Sequence, residues 1–353
     1  MIKVYIDKIL VPEEDIVDIP VMEEIIELGN ELFASSVEIV LNNTEHVYDI
    51  RNIYSNFYNK NWRNKLVEIY DNNKLLIAGK IKGYRLSDTN ITIEISNVIR
   101  DMAETPIIYR NFSNLTWAGN ILNIIKDPDI MNLSDNQIIM ESFSNAINIQ
   151  TANSAFGRIN YTREHNMTVL PVLNEICRFT QCILYTSQNR IGLYQWVKNP
   201  VISQNLSSSE IIAGSFSITS RSDIINSVSM AYIIDNNVGR MKIQDLDLIK
   251  KHGLKTFNMP DRKINDDKEI KSYSMIFSSG AGARWAGNQV LDRFQNGILR
   301  CSWSTPFGYN LELNTTVNLD LIDYNVNVIV LSKEYLEEEG IIFYTGEIIW
   351  DEQ

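Results

Sequence analysis

Histidine is scarce in this 353-residue chain. Only His46, His165 and His252 occur, far apart, with no metal-ligand spacing and no HExxH-type pair. His165 follows Glu164 in a polar, turn-like stretch and reads as a surface residue. Cysteine is equally sparse. Cys177, Cys182 and Cys301 cannot make a disulfide framework, and with no histidine beside them they read as buried thiols rather than zinc ligands. No GxSxG elbow is present. No apolar run approaches the roughly 18 residues of a membrane helix, and MIKVYIDKIL lacks the apolar core and small-residue cleavage site of a secretory signal. Folding in the cytoplasm is therefore expected, and the Asn-x-Ser/Thr triplets at Asn111, Asn114, Asn166 and Asn205 follow from the high asparagine content rather than marking glycans. Basic residues are in deficit. A net charge of -12 argues against binding nucleic-acid backbone, which needs clustered Lys and Arg.

What the chain has in quantity is strand pattern. Hydrophobic residues make up 44% of it, enough for real cores, and its length predicts two or three domains. The clearest stretch is Leu66 to Ser96, a β-meander. Leu66–Tyr70 leads through a polar Asp71–Asn73 turn into Leu75–Tyr84, and a turn at Ser87–Asn90 leads into alternating Ile91, Ile93 and Ile95. Gly79 and Gly83 interrupt the second strand and predict a bend or bulge of the kind found at barrel corners. Val4 and Ile6 mark an opening strand and Phe33–Leu41 another, while the acidic segment Pro12–Leu28 is ambiguous.

After Pro106 helical spacing enters. Thr116 caps a helix Trp117–Lys126 that Pro128 ends, and Thr168 opens a second helix to about Thr180 with the stripe Val169, Val172, Leu173, Ile176 and Cys177. A hairpin follows over Ile183–Tyr185 and Ile191–Val197. Residues 131–166 read as polar and irregular with weak strand content, Asn199–Ser209 as a linker, and 236–270 as a surface excursion. Strands return from Ser215 through Ile233, a helix is predicted over Ala283–Phe294, and Val326, Val328 and Val330 begin a final strand-rich region. Gly340 separates that region from Ile341–Tyr344, and Gly346 precedes Ile348–Trp350. The expected fold class is α+β and β-rich, with two small β-barrels, an α+β insertion and a short helical excursion. The expected divisions are 1–105 for the first barrel, 106–210 for an α+β middle domain, and 211–353 for a second barrel with a helical insertion near 281–296.

No catalytic, cofactor or metal residue emerges. Gly280–Ala283 either seats an anion at a helix N-terminus or provides a flexible helix entry, and it lacks the lysine of a phosphate loop. Glu337–Glu339 and Asp266–Asp267 read as solvated charge runs. Six tryptophans (62, 117, 196, 285, 303, 350) fit core packing, with a carbohydrate-stacking face as the alternative.

Several segments, in this order, resemble the hub proteins of phage tails and baseplates, including Mu-like and myophage hubs and those of gene transfer agents. WRNKLVEIYDNNKLLIAGKIKGY resembles the family's meander, and ITIEISNVIRDMAET its closing strand. MTVLPVLNEICRFTQCILYTSQNRIGLY resembles its helix-plus-hairpin, and SITSRSDIINSVSMAY a strand entry carrying an Asp and an Asn, here Asp223 and Asn226. KHGLKTFNMP, the helix around Trp285–Phe294 and LELNTTVNLDL resemble the return into a second barrel. In the last of these, Asn314–Thr316 replace the usual acidic or glycine turn.

The resemblance implies two tail-tube-like barrels per subunit in a homotrimeric ring. Six barrels would face a sixfold tail tube or distal tail protein, and three subunits a central spike or fibre protein, with a tape-measure protein as a further partner. DNA would pass through without specific binding. It implies a virion tail tip or phage-like particle, assembled in the bacterial cytoplasm, with no enzyme activity and no cofactor. A cell-wall hydrolase and a carbohydrate-binding tail protein are the alternatives.

Overall fold

The computed structural model describes residues 2–19, 22–25, 36–55, 57–58, 61–71, 74–96, 98–107, 111–161, 168–187, 190–221, 224–259, 273–322, 325–336 and 339–349. The chain is β-rich, with six α-helices among the described residues. A first sheet of seven antiparallel strands runs in the order Ile9–Leu10, Ile2–Ile6, Leu66–Asp71, Lys74–Leu86, Asn90–Ser96, Ser36–Asn42, Ile16–Asp18. The meander supplies its middle. Ile91, Ile93 and Ile95 face inward with Val4, Ile6, Ile39 and Ile69, and the turn closes through the Ser87 amide donating to the Asn90 carbonyl at 2.8 Å.

This sheet must curl. Its two edge strands are joined by only five residues, 11–15, which span at most about 21 Å when extended. A flat sheet of this width would hold its edges about 29 Å apart. Register shifts between Ile69 and Tyr70 and between Ile81 and Gly83 add twist where the curl needs it. Phe57 and Trp62, 4.6 Å apart between ring centroids, fill the interior beside Tyr48.

The second large sheet runs Gln204–Ser207, Thr316–Asp320, Asn325–Leu336, Ile341–Ile349, Ile298–Pro306, Ser217–Arg221. The segment expected as a linker thus contributes a parallel edge strand. Four residues are too few to show a period, and Leu206 alone is fully buried there. Gly346 does not break the chain, because Ile341–Ile349 is one strand. Trp303 stacks on Tyr344, whose hydroxyl donates to the Tyr309 carbonyl at 2.7 Å. One strand of this sheet comes from the far end of the sequence. Met22–Ile25 pairs antiparallel with Ser332–Tyr335, so the chain leaves the first sheet, clasps the second, and returns at Ser36.

Between them lies a six-stranded sheet, Asn237–Gln244, Ser227–Ile234, Tyr273–Phe277, Phe156–Tyr161, Asn111–Thr116, with Thr256–Asn258 also beside Ser227–Ile234. It draws strands from both sides of residue 210. The helices Trp117–Lys126 and Val169–Thr180 form where the spacing placed them. Thr116 caps the first by accepting from the Gly119 amide at 3.0 Å, and the whole predicted stripe of the second is buried. In residues 131–161 the expected weak strand content is the strand Phe156–Tyr161, but a helix, Met140–Ala152, stands where irregular chain was expected. That helix has no side-chain N-cap, and Gln150 occupies a core position on its face, which breaks the apolar stripe. Residues 236–259 likewise contain the strand Asn237–Gln244, the helix Leu246–His252 and the strand Thr256–Asn258. The helix Gly280–Phe294 buries Ala286 and Val290.

Candidate functional site

The groups that could carry chemistry are dispersed or buried. Among the described residues no cluster of three His, Cys, Asp or Glu could hold a metal ion. His46 and His252 are exposed at separate places, and His165 lies outside the described residues. All three cysteines are free and buried. Cys182 lies between Gln150 Nε2 at 3.2 Å and Gln195 Oε1 at 3.1 Å. Burial pushes the Cys182 and Cys301 thiols up to about 12, and that of Cys177 well up. At pH 8 the thiolate fraction is therefore negligible. A thiol-labelling assay at that pH is expected to modify none of the three in the native protein and all three in denaturant. Rapid native labelling of Cys182 would contradict this.

Trp62, Trp117, Trp196 and Trp303 are buried, Trp285 is partly so, and Trp350 lies outside the described residues. The five described tryptophans pack in or against the core and build no stacking face among the described residues. The Gly280–Ala283 entry is closed to an anion. Ser279 caps the helix through the Gly282 amide at 3.2 Å, and a Cβ on Gly282 would lie 2.2 Å from the Ser154 carbonyl oxygen. A depression of about 270 Å³ on the first sheet is lined by Lys3, Tyr5, Lys8, Glu68 and Tyr70. It is a shallow product of cross-strand pairing, with Lys3 opposite Tyr70 and Tyr5 opposite Glu68.

The predicted motif residues are not assembled into one place. Gly79 and Gly83 share the strand Lys74–Leu86. A Cβ on Gly79 would lie 2.5 Å from Ile95 Cγ2 and 2.8 Å from the Ser96 carbonyl oxygen, and Gly83 sits at a bulge. Asp223 lies outside the described residues. Asn226 is fully buried in the central unit, where it works as a clamp. Its Nδ2 donates to the Gly253 carbonyl at 2.7 Å, its Oδ1 accepts from the Lys255 amide at 2.8 Å, and its carbonyl accepts from the Asp245 amide at 3.0 Å. It thereby ties down both ends of the helix Leu246–His252. Asn226→Ala is expected to cost about 1–3 kcal/mol by orphaning the Lys255 amide. It should speed tryptic cleavage after Lys250 and Lys251 several-fold, and an unchanged cleavage rate would refute the clamp.

Sequence reasoning missed the polar junction between the central unit and the second sheet. Arg293, on the helix Gly280–Phe294, reaches Glu347 with Nε to Oε1 at 3.0 Å and Nη2 to Oε2 at 2.9 Å. Its Nη1 donates to Gln181 Oε1 at 2.8 Å. Both charges are at most 7% exposed. Gln181 ends the helix Val169–Thr180 in a left-handed conformation, φ 58°. Three distant segments meet there, and the only hint in sequence was an arginine within a mostly apolar stripe. These interactions fix the placement of sheets, which suits a scaffold. No helix of the described residues is long and apolar enough to cross a membrane.

No family model matches the sequence, and no curated protein matches it. Solved structures do. A tail protein from Neisseria meningitidis superposes with a TM-score of 0.60 at 9% identity, covering 99% of this chain and 97% of that one. The 43 kDa tail protein of prophage MuSo2 from Shewanella oneidensis gives 0.54 at 11% identity, covering 99% and 98%. An Escherichia coli component of the type VI secretion system, described as structurally similar to the T4 tail proteins gp27 and gp5, gives 0.51 at 10% identity, covering 99% and 77%. Over nearly its whole length, the chain has the fold of phage tail proteins.

Proposed function

We propose that this chain is a non-enzymatic tail-tip adaptor of a phage or phage-like particle. Three copies form a ring in which the two seven-stranded sheets of each subunit serve as tube-type barrels. Six such barrels meet a sixfold tail tube or distal tail protein, while the threefold face receives a spike or fibre. A tape-measure protein is a further partner, DNA passes through the ring without specific binding, and the particle is assembled in the bacterial cytoplasm. The observation that carries this reading is the pair of large β-sheets within one chain, clasped by the strand Met22–Ile25. Barrel-like sheets suit the role because curling leaves few free edges to pair wrongly during assembly. In this role Gly79 and Gly83 shape the wall of the first barrel, and Asn226 shapes the entry to the strand Ser227–Ile234.

Native mass measurement with negative-stain imaging tests the proposal. The expected species is a ring of three times the 40.6 kDa chain mass. A protein that stays monomeric at high concentration, alone and with its tube partner, would overturn it. Clearing of bacterial cell wall in a zymogram would overturn the non-enzymatic part.

A further inference from the structure

The charge of this chain is segregated. Residues 9–50 contain eleven Asp and Glu and no Lys or Arg, which accounts for nearly all of the net charge of -12. Residues 240–255 lean the other way, with five Lys and Arg against two Asp.

The basic segment has a second peculiarity. Residues 234–256 form part of a hairpin, a helix and the start of a strand, yet none of them is buried. The helix Leu246–His252 has seven residues and no buried side chain. A helix this short is not stable alone and draws its stability from packing an apolar face. Here Leu248 and Ile249 are only half-buried, Leu246 is exposed, and in the flanking residues Ile234, Val238 and Leu254 are more than half exposed as well. Lys242, Lys251 and Lys255 belong to the same segment, are exposed, and form no ion pair among the described residues. The neighbouring strand Asn237–Gln244 is the edge of its sheet. Such a surface, with exposed apolar side chains, an excess of Lys and Arg over Asp and a strand edge that no described strand covers, has the composition of an interface.

Its complement is in the same chain. The seam of the first sheet, where Ile9–Leu10 and Ile16–Asp18 are its two edge strands among the described residues, exposes Leu10 at 50% and Val17 at 55%. Glu13, Glu14 and Asp18 are exposed in the same short stretch, and none of the three is in an ion pair among the described residues. No ion pair of the described residues joins the acidic seam to the basic segment within one chain.

We propose that the basic segment 234–256 of one copy docks on the acidic seam 9–18 of the next, as the head-to-tail contact between subunits. Two different patches on each chain make a heterologous interface, which closes into a ring when the rotation permits. The inference rests on the ring reading above and names the surfaces that make it.

A charge-swap experiment on the full chain tests it. One variant carries Lys242→Glu, Lys251→Glu and Lys255→Glu, a second carries Glu13→Lys, Glu14→Lys and Asp18→Lys, and a third carries all six. All six positions are exposed or rimmed by solvent, so thermal midpoints report that folding is intact. Each triple variant is expected to weaken self-association about 100-fold or more at low salt, because like charges then face each other, and the six-fold variant to recover most of it. Wild-type association should itself weaken as salt rises. A wild-type oligomer unmoved by both triple variants overturns these surfaces and leaves the ring standing. A wild-type chain that is only ever monomeric overturns the ring and this contact together. If the lysine variant keeps its oligomer but loses retention of duplex DNA, the basic segment belongs to nucleic acid and the proposal fails.

Discussion

Arg293→Met is expected to remove about 3–5 kcal/mol of folding stability, because it leaves the Glu347 carboxylate buried without its partner. That is a large share of the roughly 5–15 kcal/mol that holds a folded domain together. The guanidinium makes two hydrogen bonds to Glu347 and one to Gln181 Oε1, at 3.0, 2.9 and 2.8 Å. It also lies 5.5 Å from the Phe294 ring centroid and 5.9 Å from that of Trp196. Water cannot replace these contacts at a site this closed. The pair as a whole is a different matter, since replacing both charges with apolar groups of similar size is often neutral. The double variant Arg293→Met/Glu347→Met should therefore recover most of the loss, less about 1 kcal/mol or more for the orphaned Gln181 oxygen. Urea unfolding measures both. A single-variant cost below about 1 kcal/mol would mean that the junction is hydrated and does not fix the second sheet to the central unit.

Elements that bury one regular face were legible from residues alone. Ile91, Ile93 and Ile95, or Val169, Val172, Leu173 and Ile176, carry a period because one side of each element is core. Where polar residues enter the core the period fails. Gln150 is fully buried because it accepts from the Ala118 amide at 2.8 Å and donates to Gln195 Oε1 at 2.8 Å, and those partners lie 32 and 45 residues away. Within 236–270, read as a surface excursion, residues 236–256 are indeed nowhere buried, and with so little interior to set a period the strand and helix there left no clear pattern. Sheet membership was beyond local reading. The strands Phe156–Tyr161 and Tyr273–Phe277 pair across more than a hundred residues, and Met22–Ile25 pairs with Ser332–Tyr335 across three hundred. Asn226 was singled out by resemblance alone. Its physical role as a clamp needed the Gly253 and Lys255 backbone beside it, and no pattern around residue 226 announces them.

The second large effect is expected at a glycine that no turn requires. A Cβ on Gly157 would lie 2.1 Å from Trp117 Cε2 and 2.2 Å from Cζ2, so the indole rests directly on the strand backbone. That backbone cannot retreat. Gly157 pairs with Phe277 on one side and Leu115 on the other, and its carbonyl accepts from Asn120 Nδ2 at 3.2 Å. The ring must move instead, yet Trp117 is fully buried, with Phe179 and Phe277 edge-on at 4.8 and 5.3 Å between centroids. Gly157→Ala should thus cost about 3 kcal/mol, combining overpacking with partial loss of the aromatic cluster. Trp117→Phe offers the relieving change. Trp117 Nε1 makes no hydrogen bond among the described residues, so the smaller ring loses contact area without orphaning a partner. If the clash is the mechanism, the double variant should be more stable than the sum of the single losses predicts, by about 1 kcal/mol or more. Simple additivity would place the cost in the strand backbone itself and remove Trp117 from the explanation.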